Sequence, residues 1–314
     1  MSTRLLKTAL ILIAVFSLAA FGHSSVALQA QSQPPVARVP EFTAPEVTID
    51  VGVLLEKTHT FLPGLVPSNF RVYEDGQEQK ILGFRHTESP AVVLILCDSS
   101  AIQFLHQMST FTEELRPQDY VALMTFGHRT EIVTDFTQDK HAFTEAIEQL
   151  PASGQSERRL FDALDESTGR LSQIDGQKYI LLLSSGSDSS SRTTLNQLLD
   201  KTRESPDLTI FTIFTSSPAT EVQSLAQTTG GMSYTPQTAA DASAAFKSIG
   251  EAIHSKYELI YHPTNSKQDG AYRRIKVELV DDDGHPLQMQ DEKHKPLKYT
   301  LAVREGYLAR QPVQ

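Results

Sequence analysis

The stretch Ala91-Val-Val-Leu-Ile-Leu-Cys-Asp-Ser-Ser-Ala-Ile102 decides the fold. Ala91 to Cys97 run without a polar break and stop at Asp98-Ser99-Ser100. A short apolar run bounded by turn residues is a strand buried on both faces, as in the middle of a parallel sheet. Ile102, Leu105, Met108, Phe111 and Leu115 follow at spacings of three to four, which predicts a helix. Strand, acidic-hydroxyl turn and helix put Asp98 and Ser100 at the carboxyl end of the sheet, the edge where open α/β sheets bind ligands.

Outward from this centre, strand and helix patterns alternate. Strand patterns cover 119–127, 130–137, 179–186 and 208–215, and helical ones cover 139–150, 157–171, 195–203, 221–227 and 240–254. The alternation predicts an α/β fold with a doubly wound, mostly parallel sheet of Rossmann type. Segment 130–137 follows its neighbour too closely for a crossover helix, so it is expected as an antiparallel edge strand. On the amino side, VTIDVGVLL alternates Val47, Ile49, Val51 and Val53 at strand period. FRVYEDGQEQKILGF is expected as a hairpin turning at Asp75-Gly76, with Phe70 and Val72 on one arm and Ile81 and Phe84 on the other. On the carboxyl side, YELIYHP, RRIKVELV and PLKYTLAV are three more strand patterns, with a turn at Asp283-Gly284. A lone hairpin is marginal in water, so the flanking segments are expected to fold together as one smaller β domain.

The expected organisation is a signal peptide (1–30), a linker (31–45), an amino-terminal β segment (46–88), the α/β domain (89–256) and a carboxyl-terminal β segment (257–314). Arg4 and Lys7 precede the apolar stretch TALILIAVFSLAAFG and then small residues, the order of an export signal with cleavage after Ala27 or Ala30. Residues 31–45 are rich in Pro and Gln without periodicity. The protein is therefore expected to be exported, periplasmic or secreted, with no membrane span in the mature chain. Net charge is −10 and no basic stretch is interleaved with aromatics, which argues against nucleic acid. Cys97 is the only cysteine, so no internal disulfide forms, and its apolar strand makes it a small buried hydrophobe.

Enzymatic signatures are missing. The sequence has no GxxxxGK[ST] loop, no GxGxxG after the first strand, no GxSxG elbow and no HExxH pair. A Ser-His-Asp set needs no fixed spacing, which leaves a cell-envelope hydrolase as an alternative of another class.

NFRVYEDGQEQKILGF, AVVLILCDSS, RLFDALDES, LLLSSGSDSSS, YELIYHPTNSKQDGAYRRIKVEL and VREGYLA together resemble the von Willebrand factor type A fold. More narrowly they resemble the VWFA-related proteins of Acidobacteria. The resemblance covers about 46–309 and implies a non-enzymatic protein-binding or adhesion-type module. It also implies a metal-ion-dependent adhesion site, in which an Asp-x-Ser-x-Ser turn, a Thr from a second loop and an Asp from a third hold Mg²⁺ or Mn²⁺. Here Asp98 and Ser100 keep the first two places. Ile102 stands at the third, the Thr position falls near Arg158, and the third-loop acid falls at Ser185. A guanidinium there would repel a divalent ion and can pair with Asp98 instead, the alternative being a solvated helix residue. The expectation is a degenerate site needing no cofactor. Its vestigial metal residues are Asp98, Ser100 and Asp188, on a partner-binding face made of Asp98, Ser99, Ser100, Arg158, Ser185 and Asp188. The alternative within the same fold is a divalent-cation-dependent module in which Asp188 replaces the lost acid. Asp98 also has a plain structural role open to it, capping the following helix.

Overall fold

The computed structural model describes residues 45–310 except 59, 87–88, 152–156 and 292. The expected signal peptide, its cleavage positions and nearly all of the 31–45 linker lie outside the described residues. The described residues pack as one unit.

Four strands come first: β1 (Val47–Leu55), β2 (Phe70–Glu74), β3 (Gln77–Gln79) and β4 (Ile81–His86). Then follow β5 (Ala91–Asp98), α1 (Ser109–Glu114), β6 (Tyr120–Phe126), β7 (Thr130–Thr137), α2 (Lys140–Glu148) and α3 (Leu160–Leu171). After these come β8 (Gln177–Ser184), α4 (Leu195–Arg203), β9 (Leu208–Phe214), α5 (Thr220–Thr228), β10 (Ser233–Tyr234) and α6 (Ala239–His254). The chain closes with β11 (Tyr257–Tyr261), β12 (Tyr272–Leu279), β13 (Met289–Gln290), β14 (Pro296–Leu297), β15 (Tyr299–Val303) and β16 (Gly306–Leu308).

The central sheet has the order β10-β9-β8-β5-β6-β7, parallel except for β7, which pairs antiparallel with β6 at the edge as its short connection requires. Successive side chains of β5 point to opposite faces. Val93, Ile95 and Cys97 join a core with Phe111, Phe246 and Ile249, while Val92, Leu94 and Leu96 join another with Leu160, Leu164 and Leu198. Helices cover both faces, which is why β5 carries no polar residue before Asp98. Strand order reverses between β5 and β8, so the crevice at a topological switch point lies beyond their carboxyl ends.

The flanking segments fold together as a β-sandwich. One sheet has the order β15-β1-β11-β4 and the other β16-β12-β2-β3. Ile49, Val51 and Val53 of β1, Phe70 and Val72 of β2, Tyr257 and Leu259 of β11 and Val277 of β12 share its core. Strand β11 has β1 and β4 as its two neighbours, so it is completed only by amino-terminal strands.

Local structure departs from the sequence reading in three places. The helix expected after β5 begins as a 3-10 helix over Ser99–Gln107 and only then becomes α1. Ile102 and Leu105 within it and Met108 at its end are spaced by three, which lines up on a helix of three residues per turn, and all three are buried. The hairpin is shorter than expected. Asp75 (φ 49°) and Gly76 (φ 83°) make the tight turn between β2 and β3. Ile81 and Phe84 then cross to the other sheet and pair with β11. The crossing is anchored at Gln79, whose buried amide bonds Thr264 through both of its ends, at 2.9 and 3.0 Å. Strand 296–303 is divided at Lys298 into β14 and β15, and the two-residue β10 was too short to leave a pattern.

Candidate functional site

Asp98 ends β5 at the switch point and is 0% exposed. Its Oδ1 accepts the Ser100 N–H (2.9 Å) and the Ser100 hydroxyl (2.8 Å), the bonding of a helix cap. Its Oδ2 accepts Arg158 Nε–H at 2.9 Å, and Arg158 Nη2 donates to Ser100 Oγ at 3.2 Å. The three side chains thus close a ring of hydrogen bonds. Arg158 is 25% exposed at its side chain, so this is a half-sheltered, charge-assisted pair.

Arg158 is held there by the loop after β8. Ser189 N–H donates to Arg158 O at 2.9 Å, and Ser189 Oγ accepts Arg158 N–H at 2.9 Å. The same loop is laced to the start of α3. Asp188 Oδ1 accepts Phe161 N–H (3.3 Å) and the Ser191 hydroxyl (2.5 Å), and Asp188 Oδ2 accepts Ser191 N–H (3.3 Å). Asp162 Oδ1 accepts Arg192 N–H (3.0 Å) and Thr193 N–H (2.8 Å). Burial works to raise the Asp162 carboxyl, but the hydrogen bonds from Thr193 and Arg192 and the charge of Arg159 hold it below its ordinary value. Gly186 makes the turn out of β8 with φ 79°. A Cβ there would fall 2.5 Å from Ala219 Cβ and 2.9 Å from the Phe214 ring, so only glycine fits.

Of the residues assigned to the face, the fold brings Asp98, Ser100 and Arg158 together. Ser99 is 7% exposed and its hydroxyl is buried without a hydrogen-bond partner, so it adds almost no surface. Ser185 is half-buried, and its hydroxyl accepts Ser187 N–H at 3.4 Å rather than joining Asp98. Asp188 caps α3. Ser189 is not among the residues that the sequence singles out. Its role depends on meeting Arg158 across 31 positions of chain.

The residues present do not fit the Mg²⁺ or Mn²⁺ site that the resemblance implies. Both Asp98 oxygens are engaged, Ile102 is packed in the core, and a guanidinium stands at the second-loop position. A hard divalent ion needs near-octahedral oxygen donors, usually including one or two carboxylates. Among the described residues, no three His, Cys, Asp or Glu side chains are grouped as metal ligands. Cys97 is fully buried, and burial first, then the Asp98 charge, pushes its thiol well up, which makes it unreactive. His254 Nε2 lies 2.9 Å from Asp119 Oδ2 at the opposite end of the sheet. Among the described residues no serine hydroxyl bonds His254.

Residues 85–187 match the family model described as von Willebrand factor type A domain. Among solved structures, the chain is similar to a von Willebrand factor type A protein from Catenulispora acidiphila, at 12% identity over 84% of this chain and 75% of that one, with a TM-score of 0.46. It is similar to an aerotolerance-related membrane protein from Bacteroides fragilis at 12% identity, over 52% of this chain and 98% of that one, with a TM-score of 0.42. It is also similar to proximal thread matrix protein 1 from the mussel byssus at 14% identity, over 58% of this chain and 51% of that one, with a TM-score of 0.46. No curated protein matches the chain.

Proposed function

Starting from an α/β unit of the von Willebrand factor type A kind, we propose that the chain is an exported, non-catalytic protein-binding module of the adhesion type, working without a bound divalent cation. The carboxyl edge of the sheet, around Ser100, Arg158, Ser185 and Asp188, meets the partner. The β-sandwich holds that edge in a fixed orientation.

One observation carries this reading: the Arg158 guanidinium sits on Asp98 and Ser100, where the resemblance implies a metal. A fixed cation satisfies the buried carboxylate without drawing an ion from solution. It also repels one. At an effective dielectric of about 20 its repulsion of a divalent ion about 4 Å away is roughly 8 kcal/mol, enough to cancel the attraction that Asp98 alone would exert.

The test is a photo-cross-linker placed at exposed Ser187, used in the envelope of the producing cell with and without chelator. A discrete protein adduct of the same yield in both conditions is expected. An adduct that disappears in chelator overturns metal independence, and no adduct at this position removes the assigned face.

A further inference from the structure

At the amino edge of the six-stranded sheet, opposite Asp98, a cavity of about 410 Å³ opens between the sheet and the β-sandwich. Small-molecule sites begin at about 300 Å³. Val47 of β1, Ile275 of β12 and Leu308 of β16 give it apolar walls, and Lys256 and Arg304 line it as well. Lys256 is 3% exposed and Arg304 7% exposed.

Buried cations are ordinarily paired with a carboxylate. Among the described residues neither of these forms an ion pair. The Lys256 ammonium donates one hydrogen bond, to Thr209 Oγ1 at 3.3 Å, and stands 4.7 Å from the centroid of the Tyr179 ring. An ammonium has three donors, so that single bond leaves two unspent. The Arg304 guanidinium donates to the carbonyls of Gly306 (2.7 Å) and Pro206. Asp50, which also lines the cavity, reaches both cations by charge alone, and its Oδ1 is buried without a hydrogen-bond partner. Burial lowers both the ammonium and the guanidinium below their ordinary values in spite of that charge. Asp207 lies nearby but is engaged by Lys178 at 2.5 Å. Lys256, Arg304 and Asp50 together leave one net positive charge, which a single anion neutralises.

We propose that this cavity binds a small amphipathic monocarboxylate, its head group received at the Lys256–Arg304 wall and its hydrocarbon part against Val47, Ile275 and Leu308. The ligand supplies the acceptor that the two cations lack. It bridges the sheet and the sandwich, since Lys256 joins α6 to β11 and Arg304 follows β15. This site is separate from the Arg158 face, and neither depends on the other.

The test is calorimetric titration of the purified protein with octanoate, with octanol and inorganic phosphate as controls. Octanoate is expected to bind once per chain, with octanol and phosphate each at least about tenfold weaker, because a charge-assisted hydrogen bond and apolar burial are both needed. Lys256→Met keeps the stem and removes the charge. It is expected to weaken octanoate at least about tenfold while the unliganded variant melts no lower than the original. Asp50→Asn removes the competing anion and is expected to tighten octanoate. No saturable octanoate binding overturns the proposal, as does octanol or phosphate binding equally well, or Lys256→Met leaving octanoate unchanged. If Lys256→Met does not fold, Asp50→Asn decides: tighter binding supports the site, and unchanged or weaker binding overturns it.

Discussion

At the carboxyl edge of the six-stranded sheet, Arg158 lies 2.9 Å from the Asp98 carboxylate, and a serine hydroxyl closes the ring. At the amino edge, Lys256 and Arg304 are more deeply buried, yet they line a cavity with one hydrogen bond on the ammonium and two carbonyls on the guanidinium. The first arrangement is closed: its charges answer each other, and nothing further is required for stability. The second is open: its charges are met by dipoles, a ring face and the charges of Asp50 and Asp207, with no ion pair to either cation among the described residues. The contrast separates a surface whose charges are mutually satisfied, proposed above as the partner-binding face, from a cavity with room for a ligand. It also shows why charge in a crevice at the switch point is not by itself a sign of a metal.

The largest expected effect comes from breaking the closed pair. Arg158→Ala leaves Asp98 buried and uncompensated, and should cost about 3 kcal/mol, the low end for a buried pair because the guanidinium is partly exposed. Combining Asp98→Leu with Arg158→Met should recover most of that loss, since two apolar groups need no partners. Denaturant unfolding of both variants checks this. A single-variant loss below about 1 kcal/mol would make the pair an ordinary surface contact.

Next comes a closed pair placed at the amino edge. Asp119 is buried and accepts Ala91 N–H (2.8 Å) and Arg116 N–H (2.6 Å), with His254 Nε2 at 2.9 Å. Burial alone would raise its carboxyl, but the close contact with His254 and the hydrogen bonds from the Ala91 and Arg116 N–H groups outweigh it and hold the carboxyl below the ordinary value. A folded-state value below the unfolded one stabilises fully above the ordinary carboxylate range. That contribution fades as pH falls below about 4 toward the lower folded value. Asp119→Asn should therefore cost about 2 kcal/mol at neutral pH, the range for hydrogen bonds to a charged group, with the gap closing below about pH 4. Melting curves of both proteins from pH 3 to 7 decide it, and a gap that widens in acid would contradict the assignment.

The smallest effect sharpens the comparison at the positioning residue. Ser189→Ala removes the hydroxyl that holds the Arg158 backbone and should cost about 1 kcal/mol or less, since the position is exposed. It should also loosen the Arg158 guanidinium, seen as faster exchange of its Nε proton by NMR. Unchanged exchange would mean that the pair positions itself.

Much of this was legible in the sequence, for identifiable reasons. Strand β5 buries both faces, so seven apolar residues in a row had one reading, and the strands around it followed by alternation. Asp75-Gly76 announced its turn because both residues need positive φ. The 3-10 helix was misread because spacings of three fit either helix type until the run is seen to hold three without a four as far as Met108. The crossing of β4 to the second sheet was hidden because the Gln79–Thr264 contact spans 185 positions. At the site, Arg158 opposite Asp98 was expected from the resemblance rather than from spacing. Asp188 was read as a possible replacement ligand, yet its oxygens are taken by Ser191 in its own loop and by the Phe161 N–H at the start of α3, the first a local partner that a linear reading underweights. Lys256 and Arg304 carried no signal, since a lone cation in a chain of mixed charge looks like a solvated one until the fold buries it.

The most direct measurement is the melting temperature of the purified protein in millimolar Mg²⁺ or Mn²⁺ against the same protein in chelator. With Arg158 answering Asp98, the two curves should coincide, and Asp98→Ala should show the same indifference to metal at its own lower melting point. An ion bound at a hundred times its dissociation constant would add about 2.7 kcal/mol. A metal-dependent rise of that size, abolished by Asp98→Ala or Asp188→Ala, would contradict metal-independent binding and make Asp188 a ligand.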